Sequence, residues 1–397
     1  MAAGAHVREC TARQLRKQYF SAWRTLCCMN SNSSLLTQEP PLKDFTEDVR
    51  RNVSICWYRT KLPPGVLKEL HAKSDVKAAV QTLGYLMFLL VPAAGAIWCF
   101  NYGPWWGCLL LLFMYGVVSS FLINAVHELG HGTVFKTKIL NDVFCHLFAF
   151  LGWINHELFA SSHIRHHRYT LHPPDDLEVT LPIRLIVWNA LKDGIINPRH
   201  PIWAIRNTWR IAKGDFRGEW ELTLYPESDA ASRWIPVRWA RAMLIGHAGV
   251  LLVSLYFGQW IIPILVSGNG IFGSILFFFC NNTQHVGLQD NTADFRMCCR
   301  TFYLNPLARF LYWQMNYHIE HHMYAAVPCY HLHRLHNLIK HDLPPTPNGL
   351  IAVWTEIIAI LKKQEKDPTY QHVPQLPSTA APAMQRRSAR RAMVADA

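Results

Sequence analysis

Long stretches without a charged residue constrain the fold of this chain more than any other feature. Residues 78–100 and 108–126 contain no Asp, Glu, Lys or Arg, and neither does the longer stretch 242–279. A helix of about 20 apolar residues crosses a hydrocarbon core about 30 Å thick. The longer stretch is interrupted at Gly258 and around Gly270, which favours two shorter spans over a single one. We therefore predict four transmembrane helices arranged as two hairpins.

The charges outside these stretches predict the orientation of the hairpins. The turns at residues 101–107 and 258–270 contain no Lys or Arg, whereas the connecting polar regions contain many. Basic residues are enriched on the cytosolic side of membranes, so we expect an all-α membrane protein whose spans are capped by a cytosolic helical domain. The expected segments are a cytosolic N-terminal region at 1–77, transmembrane hairpin 1 at 78–126, a cytosolic or interfacial region at 127–241, transmembrane hairpin 2 at 242–280, a cytosolic cap at 281–366 and a disordered basic tail at 367–397.

The composition excludes several other classes of protein. Charged residues make up 17% of the chain, and the formal net charge is +12. No basic stripe interleaved with aromatic residues is present, so we expect no nucleic-acid partner. Most Lys and Arg residues flank the apolar stretches or lie near the termini, which is typical of a protein at an anionic membrane surface. The eleven cysteines include no C-x-x-C spacing, which favours reduced thiols over a zinc or redox motif.

Histidines in the polar regions form three clusters with regular spacing. The clusters are His127 and His131 (box 1), then His163, His166 and His167 (box 2), and His318, His321 and His322 (box 3), with His285 alone between the last two. With 21 histidines in the chain, two H-x-x-H-H patterns would arise by chance with a probability of only about 0.002. On a helix, residues three and four positions apart share a face. Each box is therefore expected to direct its imidazoles at one point, as metal ligands do.

The position of the boxes suggests the chemistry that they serve. Box 1 directly follows the second predicted span and His285 closely follows the fourth, so parity places all of these histidines on the same side of the membrane. Nine imidazoles exceed the three or four protein ligands of a tetrahedral zinc, which indicates two metal ions. Imidazole suits iron, copper, nickel and zinc alike. A substrate tail in the membrane with unactivated C–H bonds would require a redox metal and dioxygen, which favours iron.

Taken together, these motifs resemble the membrane fatty acid desaturase and hydroxylase family. The three boxes match the histidine boxes of that family, and Asn281-Asn-Thr-Gln-His285 is similar to its additional N-x-x-x-H element; the likeness extends over about residues 79–340. The resemblance implies a centre of two iron ions. Its implied ligands are His127, His131, His163, His166, His167, His285, His318, His321 and His322, with Asn281 as a weaker ligand.

The resemblance also implies an activity and its partners. Such an enzyme uses O2 and electrons to desaturate or hydroxylate the acyl chain of a lipid or a similar apolar substrate, in the endoplasmic reticulum membrane if the source is eukaryotic. The chain lacks the H-P-G-G haem motif of a fused cytochrome b5 domain, so we expect a separate donor such as cytochrome b5 or a ferredoxin with its reductase. Acids expected to supply orienting partners for the ligands are Glu128, Glu157, Asp175, Asp176, Glu178, Asp290 and Glu320.

Two other functions are compatible with parts of the pattern. His127-Glu128-Leu-Gly-His131 is also a literal H-E-x-x-H, which in a membrane would predict an intramembrane zinc metalloprotease with Glu128 as general base. That interpretation leaves boxes 2 and 3 unexplained. A haem carrier or metal transporter would place its ligands inside the spans, where His247 is the one candidate. We expect His247 to have a packing role instead.

Overall fold

The structure is a computed structural model that describes residues 55–183, 185 and 187–383, with only the backbone for residues 187–190. In this part of the chain the secondary structure is helical and contains isolated bridges but no strand, which confirms the all-α prediction. The N-terminal half contains the helices α1 Val66–Leu70, α2 Asp75–Tyr102, α3 Trp105–Ser119, α4 Leu122–Gly130, α5 Lys138–Leu151, α6 His156–Tyr169, α7 Val187–Ile195, α8 Arg199–Ala212 and α9 Gly218–Leu224.

The C-terminal half begins with another long apolar helix and continues with short ones. These helices are α10 Ala230–Tyr256, α11 Ile261–Val266, α12 Ile275–Asn281, α13 Phe295–Cys298, α14 Pro306–Leu311, α15 His318–Met323, α16 Cys329–Ile339 and α17 Gly349–Lys366. Two 3₁₀ helices lie at Asn269–Ile271 and Lys340–Asp342. The boxes thus lie on or directly after α4, on α6 and on α15.

Three helical segments within the described residues are long and apolar enough to cross a membrane. They are α2, the nearly continuous pair α3–α4 from Trp105 to Gly130, and α10. Helix α2 starts where the Ser74 side chain accepts a hydrogen bond from the backbone N–H of Lys77, an N-cap that satisfies a free donor. Apolar residues such as Val80 and Val91 on α2 are exposed, as expected for a surface that contacts lipid. Segments of this length and composition are those expected of a membrane protein.

The second predicted hairpin differs from what the structure contains. Helix α10 begins at residue 230, earlier than the predicted start at 242, and the return leg is divided into α11, a 3₁₀ helix and α12. Gly258 and Gly273 have φ of +66° and +77°, a left-handed conformation that ends a helix and that glycine adopts most readily. A Cβ at Gly273 would lie 2.3 Å from the backbone nitrogen of Val117, so this break also lets the leg approach α3 closely.

A fourth apolar segment lies in a region for which hydropathy predicts no clear span. Helices α5 and α6 together are long and apolar enough to cross a membrane, but they bend by 110° at a four-residue break. Trp153, within this break, has a φ of +53°. The layout of four spans in two hairpins below a cytosolic cap therefore stays a prediction, and so do the segment boundaries derived from it.

The region predicted as a disordered tail is ordered in its first part. Backbone N–H of His372 donates to the carbonyl oxygen of Gly287 at 2.8 Å, and that of Ala381 donates to the Asp342 carboxylate at 2.9 Å. Proline-rich chain without a helix can still dock when its backbone groups find such partners. Residues 367–383 thus contact other parts of the chain in the structure, residues 384–397 lie outside the described part, and the boundary of the disordered tail stays a prediction.

A continuous apolar core joins the long helices to the C-terminal region. The rings of Tyr85 on α2 and Phe148 on α5 lie 5.6 Å apart between centroids, and Trp313, just after α14, lies 5.6 Å and 6.2 Å from them. All three side chains are almost fully buried. The Tyr85 hydroxyl donates to the carbonyl oxygen of Val118 at 2.8 Å, so its one polar atom is satisfied. This packing joins α2 and α5 to the segment that leads from α14 into α15.

Candidate metal centre

The histidine boxes converge into two clusters of candidate metal ligands. The first cluster consists of His127, His131, His163, His167 and His321. The second cluster consists of His285, Cys299, His318 and His322. Within each cluster, the candidate ligand atoms all lie within 4.8 Å of one another. The first cluster takes residues from all three boxes, and box 3 contributes to both clusters.

In the first cluster, helical spacing brings pairs of imidazoles together. His127 and His131 are one turn apart, with ring centroids separated by 4.8 Å, and His163 and His167 on α6 are separated by 4.5 Å. The Nε2 atoms of His127, His131 and His163 are buried and have no hydrogen-bond partner among the described residues. Leaving a buried polar atom unsatisfied costs about 1–3 kcal/mol. Three such atoms in one cluster fit a bound cation.

In the second cluster, the distances between nitrogen atoms match a coordination shell. The Nε2 atom of His318 lies 2.9 Å from Nε2 of His285 and 3.2 Å from Nε2 of His322. Metal–imidazole bonds of about 2.0–2.1 Å place two neighbouring ligand nitrogens about 2.8–3.4 Å apart. His166 lies at the edge of this cluster, with ring centroids 5.1 Å from His285 and 5.0 Å from His322. The residues present therefore fit a metal ion here as well.

Three of the predicted ligands have their second ring nitrogen, Nδ1, within hydrogen-bond distance of a protein oxygen. His163 Nδ1 lies 2.8 Å from a Glu178 carboxylate oxygen, and His166 Nδ1 lies 2.8 Å from an Asp176 oxygen. His285 Nδ1 donates to the carbonyl oxygen of Cys298 at 2.8 Å. Because Nδ1 of this residue carries the proton, its Nε2 has a free lone pair directed at the cluster.

Glu128 contacts box 1 and lies close to box 3. One of its carboxylate oxygens lies 3.0 Å from His127 Nδ1 and 3.6 Å from His321 Nδ1, and the residue is 1% exposed. Three of the seven acids named from the sequence, Glu128, Asp176 and Glu178, thus contact histidines that are predicted ligands. Glu320 instead contacts Nδ1 of His336, a histidine outside both clusters.

Burial favours the neutral form, which binds metals, of the histidines in the two clusters. Removal from water lowers the pKa of His131 to about 4 and that of His285 to about 3. The same effect lowers the pKa values of the three box 3 histidines well below the ordinary value, and neighbouring imidazoles add to it. Neutral imidazole offers the lone pair that a metal requires, so no proton has to be displaced at neutral pH.

The two orienting acids near box 2 have opposite pKa shifts. Burial acts to raise the pKa of Asp176, but the charge of His166 and hydrogen bonds from His166 and two backbone N–H groups outweigh it and lower that pKa. Burial raises the pKa of Glu178 to about 7, although a hydrogen bond from Ser162 opposes the shift. Asp176 is therefore ionised at neutral pH and places a negative charge beside His166. The pKa of Glu178, in contrast, lies close to neutral pH.

Two further predicted residues stand apart from the clusters. His247 is stacked between Phe150 and Trp153 at centroid distances of 4.2 Å and 3.7 Å, and both of its ring nitrogens have partners within hydrogen-bond distance. Its predicted packing role is confirmed. Asn281 is the half-buried last residue of α12, four positions before His285, and its role as a ligand stays a prediction.

One residue of the clusters was missed by sequence reasoning. Cys299 belongs to the second cluster, yet neither the spacing of the cysteines nor any histidine box pointed to it. Its nearest cluster partner in sequence, His285, is 14 positions away. Only the fold brings the two together.

The fold and the site define a helical membrane protein with a histidine-rich centre suited to metal ions. The family model for fatty acid desaturase matches residues 103–354, a region that contains all three boxes and His285. The chain belongs to the fatty acid desaturase family, a family of metal-dependent oxidoreductases, and the resemblance deduced from the boxes is confirmed. No curated protein sequence matches the chain.

Proposed function

We propose that the protein is a membrane-bound di-iron enzyme that uses O2 and electrons to desaturate or hydroxylate the acyl chain of a lipid or a similar apolar substrate. The observation that carries this proposal is the convergence of eight imidazoles into two adjacent clusters, the first of which has three buried Nε2 atoms without a partner among the described residues. One iron would be held by His127, His131, His163, His167 and His321, and the other by His166, His285, His318 and His322, with Asn281 as a weaker ligand.

The protein residues around the clusters would position the ligands. The chemistry supplied by two bound irons is activation of dioxygen and removal of hydrogen from a C–H bond. Asp176 and Glu178 hold the box 2 rings, and the carbonyl oxygen of Cys298 holds His285, so that the metal-facing nitrogens keep their directions without rearrangement. The burial of both clusters keeps bulk water away from the reacting groups.

We further propose that the boxes face the cytosol below four spans in two hairpins, with the cap formed by residues 281–366. Helix α4 continues the apolar segment that starts at Trp105, so box 1 lies at one end of a membrane-spanning segment. An acyl chain lying in the bilayer could then reach the clusters from the membrane side. If the source is eukaryotic, the membrane would be that of the endoplasmic reticulum, and the electrons would come from a separate cytochrome b5 or ferredoxin with its reductase.

No observation supports the alternative of a zinc metalloprotease. In such an enzyme Glu128 would have to activate a water molecule beside a single zinc. Here its carboxylate faces the Nδ1 sides of His127 and His321, away from their metal-facing nitrogens, and it is almost fully buried. Glu128 is better suited to orienting two ligands than to acting as a base.

Expression in a lipid-defined host tests the proposal. Mass spectrometry of lipid extracts would show loss of two hydrogens for desaturation or gain of one oxygen for hydroxylation. The matched control is a host that expresses His131→Ala, which should give the lipid profile of the empty host. Purified protein should contain about two irons per chain. A single zinc per chain, or a lipid profile identical to that of the control, would refute the proposed function.

A further inference from the structure

Cys299 lies among the imidazoles of the second cluster. Its Sγ atom is within 4.8 Å of the candidate ligand atoms of His285, His318 and His322, and the residue is only 1% exposed. A buried thiol next to three histidine nitrogens has the composition of a mixed nitrogen and sulfur metal site. The first cluster, in contrast, contains histidines alone.

The backbone around Cys299 fixes the thiol beside His285. The residue follows the last residue of α13 in an extended conformation, with φ of −123° and ψ of 158°, and its N–H donates to the carbonyl oxygen of Phe295 at 2.9 Å. On either side of it, the carbonyl of Cys298 accepts from His285 Nδ1, and the N–H of Arg300 donates to the carbonyl of Gln284 at 2.9 Å. Two bonds thus tie this segment to the one that bears His285.

The neighbouring thiol is distinguished from Cys299 by its position. The Sγ atoms of Cys298 and Cys299 are 3.9 Å apart, and both are buried, but only Cys299 belongs to the cluster. Cys298 is the last residue of α13 and Cys299 is the next residue, so a substitution at either position removes one buried thiol from the same short segment. Cys298 therefore provides a matched control for any substitution of Cys299.

We propose that Cys299 is a sulfur ligand of the metal ion in the second cluster, which makes that subsite a mixed histidine and cysteine site. The inference rests on the proposed dinuclear centre and adds a ligand that the histidine boxes do not include. Binding would replace the S–H bond with a metal–sulfur bond and release the proton to water, with no change in oxidation state. The two subsites would then differ in ligand type, because thiolate is a softer ligand than imidazole.

X-ray absorption and cobalt spectroscopy of the full-length protein in detergent test this assignment. The protein loaded with two zinc ions should show a sulfur neighbour at about 2.3 Å from half of the metal. The protein loaded with cobalt(II) should show a thiolate-to-metal charge-transfer band in the near ultraviolet. Both signatures should be absent in Cys299→Ser and retained in Cys298→Ser. Cys299→Ser should also weaken binding of one of the two ions at least tenfold, the lower end of the about 10–100-fold loss seen for residues that merely orient ligands.

The wild-type spectra decide the question even if a variant does not fold. Two bound ions with only nitrogen and oxygen neighbours would overturn the assignment of Cys299 and leave the dinuclear centre intact. Fewer than two bound ions would overturn the dinuclear centre and, with it, this inference. Loss of the sulfur signature in Cys298→Ser but not in Cys299→Ser would also refute the assignment.

Discussion

The Nε2 atoms of His167 and His321 lie 3.0 Å apart, although 154 positions separate the two residues in the sequence. Box 2 and box 3 are therefore joined within one cluster and do not each form a site of their own. His318 and His322 meanwhile face His285 in the other cluster, so the three histidines of box 3 are shared between the two. A substitution within box 3 should affect one metal or the other according to which residue is changed.

The division of box 3 predicts selective metal loss. His321→Ala should remove a ligand from the first cluster and His318→Ala one from the second, so each variant is expected to retain about one iron per chain instead of two. Iron content measured on purified protein by atomic emission checks this expectation. His372→Ala, a half-buried histidine outside both clusters, should retain two. Equal loss of both irons in either variant would show that the clusters are not separate subsites.

Glu128→Gln distinguishes an orienting role from a catalytic one. The amide can still accept one hydrogen bond but lacks the negative charge that faces His127 and His321. We expect product formation to fall by about 10–100-fold, the scale of lost orienting partners, without vanishing. The rate of product formation at saturating substrate measures the effect, with Glu157→Gln on the partly exposed start of α6 as control. Complete loss of activity with both irons still bound would instead assign Glu128 a direct chemical role.

Regular spacing made much of the site predictable from the sequence, whereas its long-range pairings were not. The histidines of each box are spaced three or four residues apart, so their shared helical face can be deduced from the residue numbers alone. The pairing of His167 with His321, and the approach of Cys299 to His285, depend on how distant helices pack. No local pattern encodes such contacts.

The second hairpin depends on backbone features that hydropathy does not record. Hydropathy alone reports that residues 242–279 can lie in a membrane, and it is insensitive to backbone conformation. Gly258, with a positive φ, follows the end of α10, and Gly273, also with a positive φ, interrupts the return leg where it approaches α3 closely at Gly116. Similarly, the order of residues 367–383 depends on acceptors elsewhere in the chain, which composition cannot reveal.

Asp176→Asn should weaken the second metal site through His166. The ionised Asp176 accepts from His166 Nδ1 and from the backbone N–H groups of Leu171 and Glu178. An amide has only one accepting oxygen, so the ring of His166 loses its charged partner and part of its orientation. We expect the affinity for one of the two metals to fall by about 10–100-fold. Titration against a competing chelator measures this, and Asp142→Asn, an exposed carboxylate on α5, should leave both affinities unchanged.

A buried ionic cluster away from the metal centre holds the C-terminal segment in place. The fully buried Arg296 pairs with Asp294 and Asp342, each at 2.7 Å, and its guanidinium lies 3.8 Å from the ring centroid of Tyr58. It also donates to the carbonyl oxygen of Ala381 at 3.1 Å. Segments from both ends of the described chain therefore meet at one arginine, so loss of either acid should destabilise the whole region.

Asp342→Asn should lower the stability of the protein in a pH-dependent way. Removing one partner of a buried ion pair costs about 3–5 kcal/mol, because the remaining charge stays unpaired. Burial acts to raise the pKa of Asp342, but hydrogen bonds from Thr60, Tyr58 and Ala381 and the charge of Arg296 lower it overall. A carboxylate with a lowered pKa in the folded state stabilises that state at pH values above its unfolded pKa of about 4, and this contribution is lost as the pH falls through the folded value. The difference in thermal unfolding midpoint between wild type and Asp342→Asn should thus have its full size at pH 7 and shrink below about pH 4.

Asp142→Asn should unfold like the wild type at both pH values. A difference that persists unchanged in acid would mean that shape and hydrogen bonding at residue 342, and not its charge, hold this cluster together.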